Sequence, residues 1–215
     1  GLNHNMMASQ LHGHDEAHDA SVTQGILAGS VMDYPSVNYA PVGKEQGDFY
    51  TEKPGPYDDW AIMYGYSEAL ADPIEEKKRL TAILSRSAEP QLAFGNDADD
   101  MRSPGKAIDP RVMIGDLSND QIRYSVERIE LVNRMMKDIK SRFSNTGESY
   151  MQLRQAYYIL SGQSATAAGV ISRFIGGVYI DRAAPGQKGG TQPFTPVSLT
   201  DQKRAMDALE QYVFA

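Results

Sequence analysis

The sequence of 215 residues contains no cysteine, which excludes disulfide bonds and thiolate metal ligands. It also has no uninterrupted apolar run near the ~20 residues that a membrane-spanning helix needs, so we expect the chain not to span a membrane. Basic residues are in deficit, with 21 Lys and Arg against 28 Asp and Glu, and no basic cluster offers counter-charge to phosphates. We therefore expect no nucleic-acid partner.

Apolar residues make up 41% of the chain, enough for a sizeable core at this length. Residues 1–55 are rich in Gly, Pro, Asn, Asp and Tyr and show no sustained periodicity, which is typical of irregular structure with turns. From residue 56 onward the pattern becomes helical. The sequence therefore predicts two regions, 1–55 and 56–215.

Helical periodicity dominates the second region. Predicted helices begin at Pro56, Pro73, about Ser149 and about Thr200. The strongest one carries apolar residues at alternating spacings of three and four: Ile122, Val126, Ile129, Val132, Met136, Ile139 and Phe143. At most a short strand is expected at 178–180. The predicted fold is mainly α, an antiparallel helical bundle-like body with an irregular N-terminal arm.

The two helices after Pro56 and Pro73 also carry apolar side chains. We expect Trp60, Ile62, Met63 and Tyr66 to be available to a core. Buried positions expected on the second of these helices are Ile74, Leu80, Ile83 and Leu84.

All four histidines fall within the first 18 residues, and the first of them stands in the opening segment GLNHNMMAS. Metzincin zinc peptidases carry the motif H-E-x-x-H-x-x-G-x-x-H, followed downstream by a turn that contains Met. GLNH matches the last four motif positions, and SVMDY at 30–34 follows at a suitable distance.

The chain resembles the C-terminal part of a bacterial zinc-dependent metalloprotease of the metzincin clan. The residues that carry the resemblance are GLNHNMMAS, GSVMDYPSVNYAP, GPYDDWAIMYGY, DPRVMIGDLSND and the tail PFTPVS with QKRAMDALEQYVF. They run over nearly the whole chain.

The resemblance implies that His4 is the third zinc ligand and that Gly1 breaks the preceding helix. Met32 would form the apolar floor of the Met-turn. Tyr34, two positions further, matches a tyrosine that ligates zinc or stabilises the oxyanion in relatives. The alternative for Tyr34 is a packed turn residue whose hydroxyl is satisfied locally.

The motif positions H-E-x-x-H-x-x would precede Gly1, and they include two zinc ligands and the general-base Glu. We therefore expect a C-terminal fragment that is inactive alone and holds no stoichiometric zinc, while the parent is a peptidase that cleaves peptides or proteins. The alternative is a non-catalytic helical interaction module of a larger secreted protein. The relatives suggest an extracytoplasmic location, periplasmic or secreted, and the oligomeric state is left open.

Two further clusters have metal-binding alternatives. His12, His14 and His18 lie in a polar segment that contains Gly, which favours a solvated loop over an accessory metal site. Clustered carboxylates occur at Asp97, Asp99 and Asp100, but the Gly and the distal Glu of an EF-hand are missing, so a calcium site is the less favoured interpretation.

Overall fold

A computed structural model describes residues 2–102 and 107–214 of the chain. Within these residues the α-helices, in chain order, are α1 (Ala20–Thr23), α2 (Pro56–Tyr66), α3 (Pro73–Leu84), α4 (Gln121–Phe143), α5 (Met151–Ser172) and α6 (Leu199–Leu209). A π-helical turn, Glu210–Phe214, continues α6. Short 3-10 turns occur at Ala8–Gln10, Glu16–His18, Ser85–Ala88 and Pro90–Leu92. The prediction of a mainly α fold is confirmed.

Helices α4 and α5 form a hairpin that contains the largest core. Ile122 and Ile129 of α4 lie in the same buried cluster as Ala167 and Ile171 of α5. The start of α4 thus faces the end of α5, as expected for antiparallel neighbours joined by a short connection. Helix α6 covers this cluster with Ala205, Ala208 and Leu209. The 3.6-residue apolar periodicity therefore supplies the face that these helices bury.

A small antiparallel sheet lies between α5 and α6. Strand β1 (Val178–Ile180) pairs with β2 (Phe194–Pro196), and Tyr179 lies opposite Thr195. The short strand predicted at 178–180 is confirmed. Within the described ranges, none of the helices is long and apolar enough to cross a membrane.

The irregular N-terminal segment runs alongside the stretch that leads into α4. Backbone N–H groups of Met113, Ser118 and Asn119 donate to carbonyls of residues 6, 9 and 12, at 3.3, 3.0 and 2.9 Å. Residues separated by about one hundred positions are therefore neighbours. The division of the chain at residue 55 stays a prediction.

The apolar residues predicted to face a core from α2 and α3 are largely exposed. Ile62, Met63 and Tyr66 are exposed, as are Ile74 and Leu84. The prediction was wrong for these five. The inward face of α2 instead carries a buried carboxylate, and Trp60 is half-buried with its indole N–H donating to the Ile83 carbonyl at 2.8 Å.

Candidate functional site

His4 lies in an extended segment held between the turn at 29–34 and residues 93–97. The neighbouring Asn5 is fully buried, and its amide donates to the Ala93 carbonyl at 2.9 Å. Its backbone N–H donates to the Met32 carbonyl at 3.1 Å, and its side-chain oxygen accepts from Gly95 N–H at 3.2 Å. Because Asn5 satisfies buried groups on both sides, the position of His4 is well fixed.

Both ring nitrogens of His4 have partners. Nδ1 lies 2.8 Å from Asp97 Oδ2, and Nε2 lies 3.1 Å from the Tyr34 hydroxyl. A carboxylate only accepts hydrogen bonds, so we assign the ring proton to Nδ1 and the lone pair to Nε2. The Tyr34 hydroxyl then donates to Nε2. This tautomer leaves Nε2, one of the two imidazole nitrogens that bind metals in proteins, without a proton.

The site is open to solvent. The His4 side chain is 35% exposed and that of Asp97 57% exposed, and Tyr34 is exposed as well. Met32 is half-buried and is joined to the His4 segment through the backbone hydrogen bond to Asn5. Gly1 lies outside the described residues. The structure thus brings the predicted residues His4, Met32 and Tyr34 together.

The turn at 29–34 is anchored by a buried carboxylate at the start of α2. Asp58 accepts from Ser30 Oγ at 2.6 Å and from Val31 N–H at 2.9 Å. It also accepts from Gly55 N–H at 2.9 Å. A Cβ at Gly55 would lie 2.2 Å from the Gly29 carbonyl oxygen, so only glycine permits this approach. The first turn of α2 therefore sets the position of the segment that carries Met32.

One buried aspartate, Asp33, belongs to the turn, and a second, Asp116, shares Ser9 with it as a hydrogen-bond partner. Asp33 accepts from the backbone N–H groups of Ser9 and Tyr34, at 2.7 and 2.6 Å. Asp116 accepts from Ser9 Oγ at 2.8 Å and from the Gln121 amide. Burial, followed by the charge of Asp116, raises the pKa of Asp33 to about 8, and burial raises that of Asp116 to about 7. The pair therefore retains a proton near neutral pH.

A second cluster of metal-ligand types lies away from His4. His14 Nε2 is 2.7 Å from Glu127 Oε2 of α4, and ligand atoms of His14, His18 and Glu127 all lie within 4.8 Å of one another. The two imidazoles are only 4% and 7% exposed. The interpretation of this segment as a solvated loop was therefore wrong, because the rings pack against α4. His12 is separate, with Nε2 at 2.7 Å from the Ile26 carbonyl.

Burial of the His18 ring explains why its pKa is lowered. Its ring stacks on Tyr124, with centroids 6.0 Å apart and an angle of 12° between the planes. Burial and the neighbouring His14 lower the pKa of His18 to about 4. The imidazole is therefore neutral at pH 7, which is the form that binds metals.

The carboxylates proposed as a calcium alternative do not converge. Each has a different partner: His4 for Asp97, Arg182 for Asp99 and Arg102 for Asp100. In the described part of the chain, the three carboxylates do not form a common metal-ligand group. Calcium binding at this stretch has no geometric support.

Sequence reasoning did not assign to these sites three residues that the structure places there, although it considered one of them, Asp97, as part of an acidic cluster. Asp97 and Glu127 are 93 and 113 positions from their histidine partners, and no local pattern marks them. Asp58 had a signal, since it is the third residue of a helix that begins with proline, where a carboxylate caps the helix.

A family profile described as Met-zincin matches the chain over residues 1–215. Searches of curated proteins and of solved structures each gave no match. The match covers all of the residues that form both sites, including the segment of His4 and the turn with Met32. The chain therefore belongs to the Met-zincin family of zinc metallopeptidase-related proteins.

Proposed function

We propose that this chain supplies the third zinc ligand and the Met-turn of a zinc metallopeptidase that cleaves peptide bonds in peptides or proteins. The observation that carries the proposal is the triad of Asp97, His4 and Tyr34. In it one imidazole nitrogen is fixed by a carboxylate and the other faces a phenol at 3.1 Å. We include in the proposal an extracytoplasmic location, which rests on the resemblance alone.

The donor set near His4 fits part of a catalytic zinc site. Such sites use three protein ligands and keep a further position open, and imidazole nitrogen is a preferred ligand. His4 offers one such nitrogen on an open surface. In the family motif the other two histidines and the general-base Glu occupy positions before Gly1. Residues 1–215 alone are therefore proposed to be inactive as a peptidase.

When bound, zinc supplies Lewis-acid activation of the scissile carbonyl and of the attacking water. His4 contributes its Nε2 lone pair, while Asp97 holds the ring proton on Nδ1 and fixes the ring orientation. The Tyr34 hydroxyl occupies that lone pair in the structure, so it must give up this hydrogen bond when the metal binds. The released hydroxyl is then free to donate to oxygen atoms of the substrate.

We propose that Met32 and the anchored turn at 29–34 support the zinc ligands. The thioether is apolar and polarizable, so it packs beneath imidazoles without competing for the metal. Asp58 fixes the turn to the start of α2, and the backbone N–H of Asn5 joins the turn to the His4 segment. The proposed role of the turn is to hold the ligands in place.

The first test replaces His4 by alanine in the natural protein, expressed with the H-E-x-x-H positions that the motif places before Gly1. We expect kcat/KM on a quenched-fluorescence peptide substrate to fall by more than about 100-fold, beyond the range for loss of an outer-shell partner. Zinc bound at the catalytic site should be lost in parallel. Metal content and a quenched-fluorescence peptide assay measure both.

The control for this test is His12→Gln, because His12 lies near in sequence but bonds to the Ile26 carbonyl. This variant should keep zinc and activity. Unchanged zinc content and cleavage in His4→Ala would contradict the proposal. Absence of peptidase activity in the unsubstituted protein would favour the helical interaction module.

A second test concerns Asp97, which we propose as a positioning residue. Asp97→Ala in the same protein should weaken zinc binding and lower kcat by roughly 10- to 100-fold, as is usual for outer-shell partners. Asp97→Asn, which keeps an acceptor for Nδ1–H, should recover part of the loss. The matched control is Asp99→Asn, since Asp99 pairs with Arg182. Equal zinc affinity in Asp97→Ala and the unsubstituted protein would rule out this role.

A further inference from the structure

We propose that His14, His18 and Glu127 form a second metal site that binds one divalent transition-metal ion of the zinc type. This site is distinct from the one proposed at His4 and does not depend on it. Two imidazoles and one carboxylate are a donor set that zinc commonly takes in proteins. The ion would join the segment around residues 14–18 to helix α4.

The geometry is close to that of an assembled site. His14 Nε2 and Glu127 Oε2 are 2.7 Å apart, and all three ligand atoms lie within 4.8 Å of one another. Ligand atoms about 2.0–2.1 Å from a tetrahedral zinc are separated by roughly 3.3 Å. Side-chain rotation of the two histidines over a short distance would close the remaining gap, since Glu127 is held on a long helix.

An unsatisfied ring nitrogen gives an independent indication. Both residues are more than nine-tenths buried, and within the described ranges Nδ1 of His18 has no hydrogen-bond partner. Buried polar atoms are rarely left without a partner, and such an exception calls for an explanation such as an ion. Imidazole nitrogens held this close to a carboxylate oxygen are suited to metal ligation.

The carboxylate of Asp15 lies near the second ring nitrogen of His14 and would not itself bind the ion. Asp15 Oδ1 lies 3.4 Å from His14 Nδ1, too long for a good hydrogen bond but within the distance of an ion pair. Metal-binding histidines usually donate their second ring N–H to a carboxylate or carbonyl. A small rotation of the ring as Nε2 binds the ion would bring Nδ1–H toward Asp15.

The surrounding charges and the donor atoms indicate which type of ion the site would bind. Arg123 lies 3.4 Å from Glu127 Oε1, Lys44 pairs with Asp15, and Arg128 lines the same small cavity as His18. Three cations and two carboxylates give no net negative field that would attract calcium or magnesium. Those hard cations also require several oxygen ligands. The site therefore depends on direct imidazole bonds, which favour zinc and its transition-metal neighbours.

Occupancy would stabilise the N-terminal segment against α4. Residues 9 and 12 of this segment already accept hydrogen bonds from residues 118 and 119, just before α4 begins. A metal bond at His14 and His18 adds a further connection to the same helix. This expectation differs from the one drawn from the sequence, in which residues 1–215 hold no stoichiometric zinc.

The test uses the 215-residue chain, stripped with EDTA, dialysed and titrated with zinc sulfate or cobalt chloride. We expect one zinc per chain with sub-micromolar Kd, a rise in Tm of about 5 °C at saturating zinc, and cobalt absorption bands typical of low coordination number. Glu127→Gln should weaken zinc binding at least 10-fold and His18→Gln at least 100-fold. His4→Ala should leave the Kd unchanged within twofold.

Glu127→Gln keeps an acceptor for His14, and its side chain is partly exposed, so this variant should fold even if His18→Gln does not. Circular dichroism of the metal-free proteins checks this. Loss of zinc binding in His4→Ala together with its retention in Glu127→Gln would overturn the proposal. So would a Kd weaker than about 100 μM in the unsubstituted chain. Neither result bears on the peptidase proposal, which is tested by activity of the longer protein.

Discussion

Replacing Asp58 by alanine is expected to lower the free energy of unfolding by about 3–5 kcal/mol. The carboxylate is buried and accepts hydrogen bonds from Ser30 Oγ and from the N–H groups of Val31 and Gly55. The substitution leaves three donors without this acceptor, at a cost of about 1–3 kcal/mol for each one that stays dry. Urea unfolding followed by circular dichroism measures the change.

The matched control is Asp59→Ala at the next position of the same helix. Asp59 is exposed in the first turn of α2, so its replacement loses only a favourable interaction with the helix dipole, about 0.3–1 kcal/mol. Equal decreases in the free energy of unfolding in the two variants would show that Asp58 does not anchor the 29–34 turn. In the longer protein, Asp58→Ala should also reduce zinc retention, because the turn that carries Met32 loses its support.

The second large effect is a fall in stability as the pH rises from 6.5 to 8. Burial raises the pKa of Asp33 to about 8 and that of Asp116 to about 7, whereas unfolded aspartate titrates near pH 3.9. In this interval the folded pair still holds a proton that the unfolded chain has released. The contribution of these retained protons to the free energy of unfolding is complete below about pH 4 and is lost as the pH rises through the folded pKa values.

The expected slope is close to 1.4 kcal/mol per pH unit for each retained proton, which gives a loss of about 2 kcal/mol over this interval. The interval is chosen because the lowered pKa of His18, about 4 instead of 6.5, affects stability mainly between about pH 4 and pH 6.5. Urea unfolding in the presence of EDTA at several pH values provides the measurement.

Asp116→Asn tests the origin of this slope. It removes one of the two titrating carboxyls and the negative charge that adds to burial in raising the pKa of Asp33, while its amide oxygen still accepts from Ser9 and Gln121. The variant should lose less unfolding free energy between pH 6.5 and 8 than the unsubstituted protein does, so its stability relative to that protein should be highest at pH 8. An unchanged slope would show that the buried pair does not bind the proton.

Much of the fold could be predicted from the sequence because it depends on local chemistry. The alternating spacing of apolar residues predicted α4, and proline followed by acidic residues predicted the starts of α2 and α3. These signals concern backbone conformation and the existence of an apolar face. They do not state which face will meet a partner, and the expectation of burial failed for Ile62 and Ile74.

The candidate site was predictable only in part. The motif spacing indicated His4, Met32 and Tyr34, and the structure brings all three into one region. Asp97 was considered only as a member of an acidic cluster, because no sequence pattern relates it to a histidine 93 positions earlier. His18 was assigned to a solvated loop, since its polar neighbours conceal that the ring packs on Tyr124.

The sequence by itself determined the helical class, the positions of the long helices and the family motif, because each is encoded by residues within a few turns of one another. Only the tertiary structure decided that Asp97 orients His4 and that Asp58 fixes the turn of Met32. It also decided that Glu127 faces His14. The physical reason is that each of these partners comes from a distant segment, and that buried polar groups such as Asp58 and His14 must find hydrogen-bond partners wherever the chain folds.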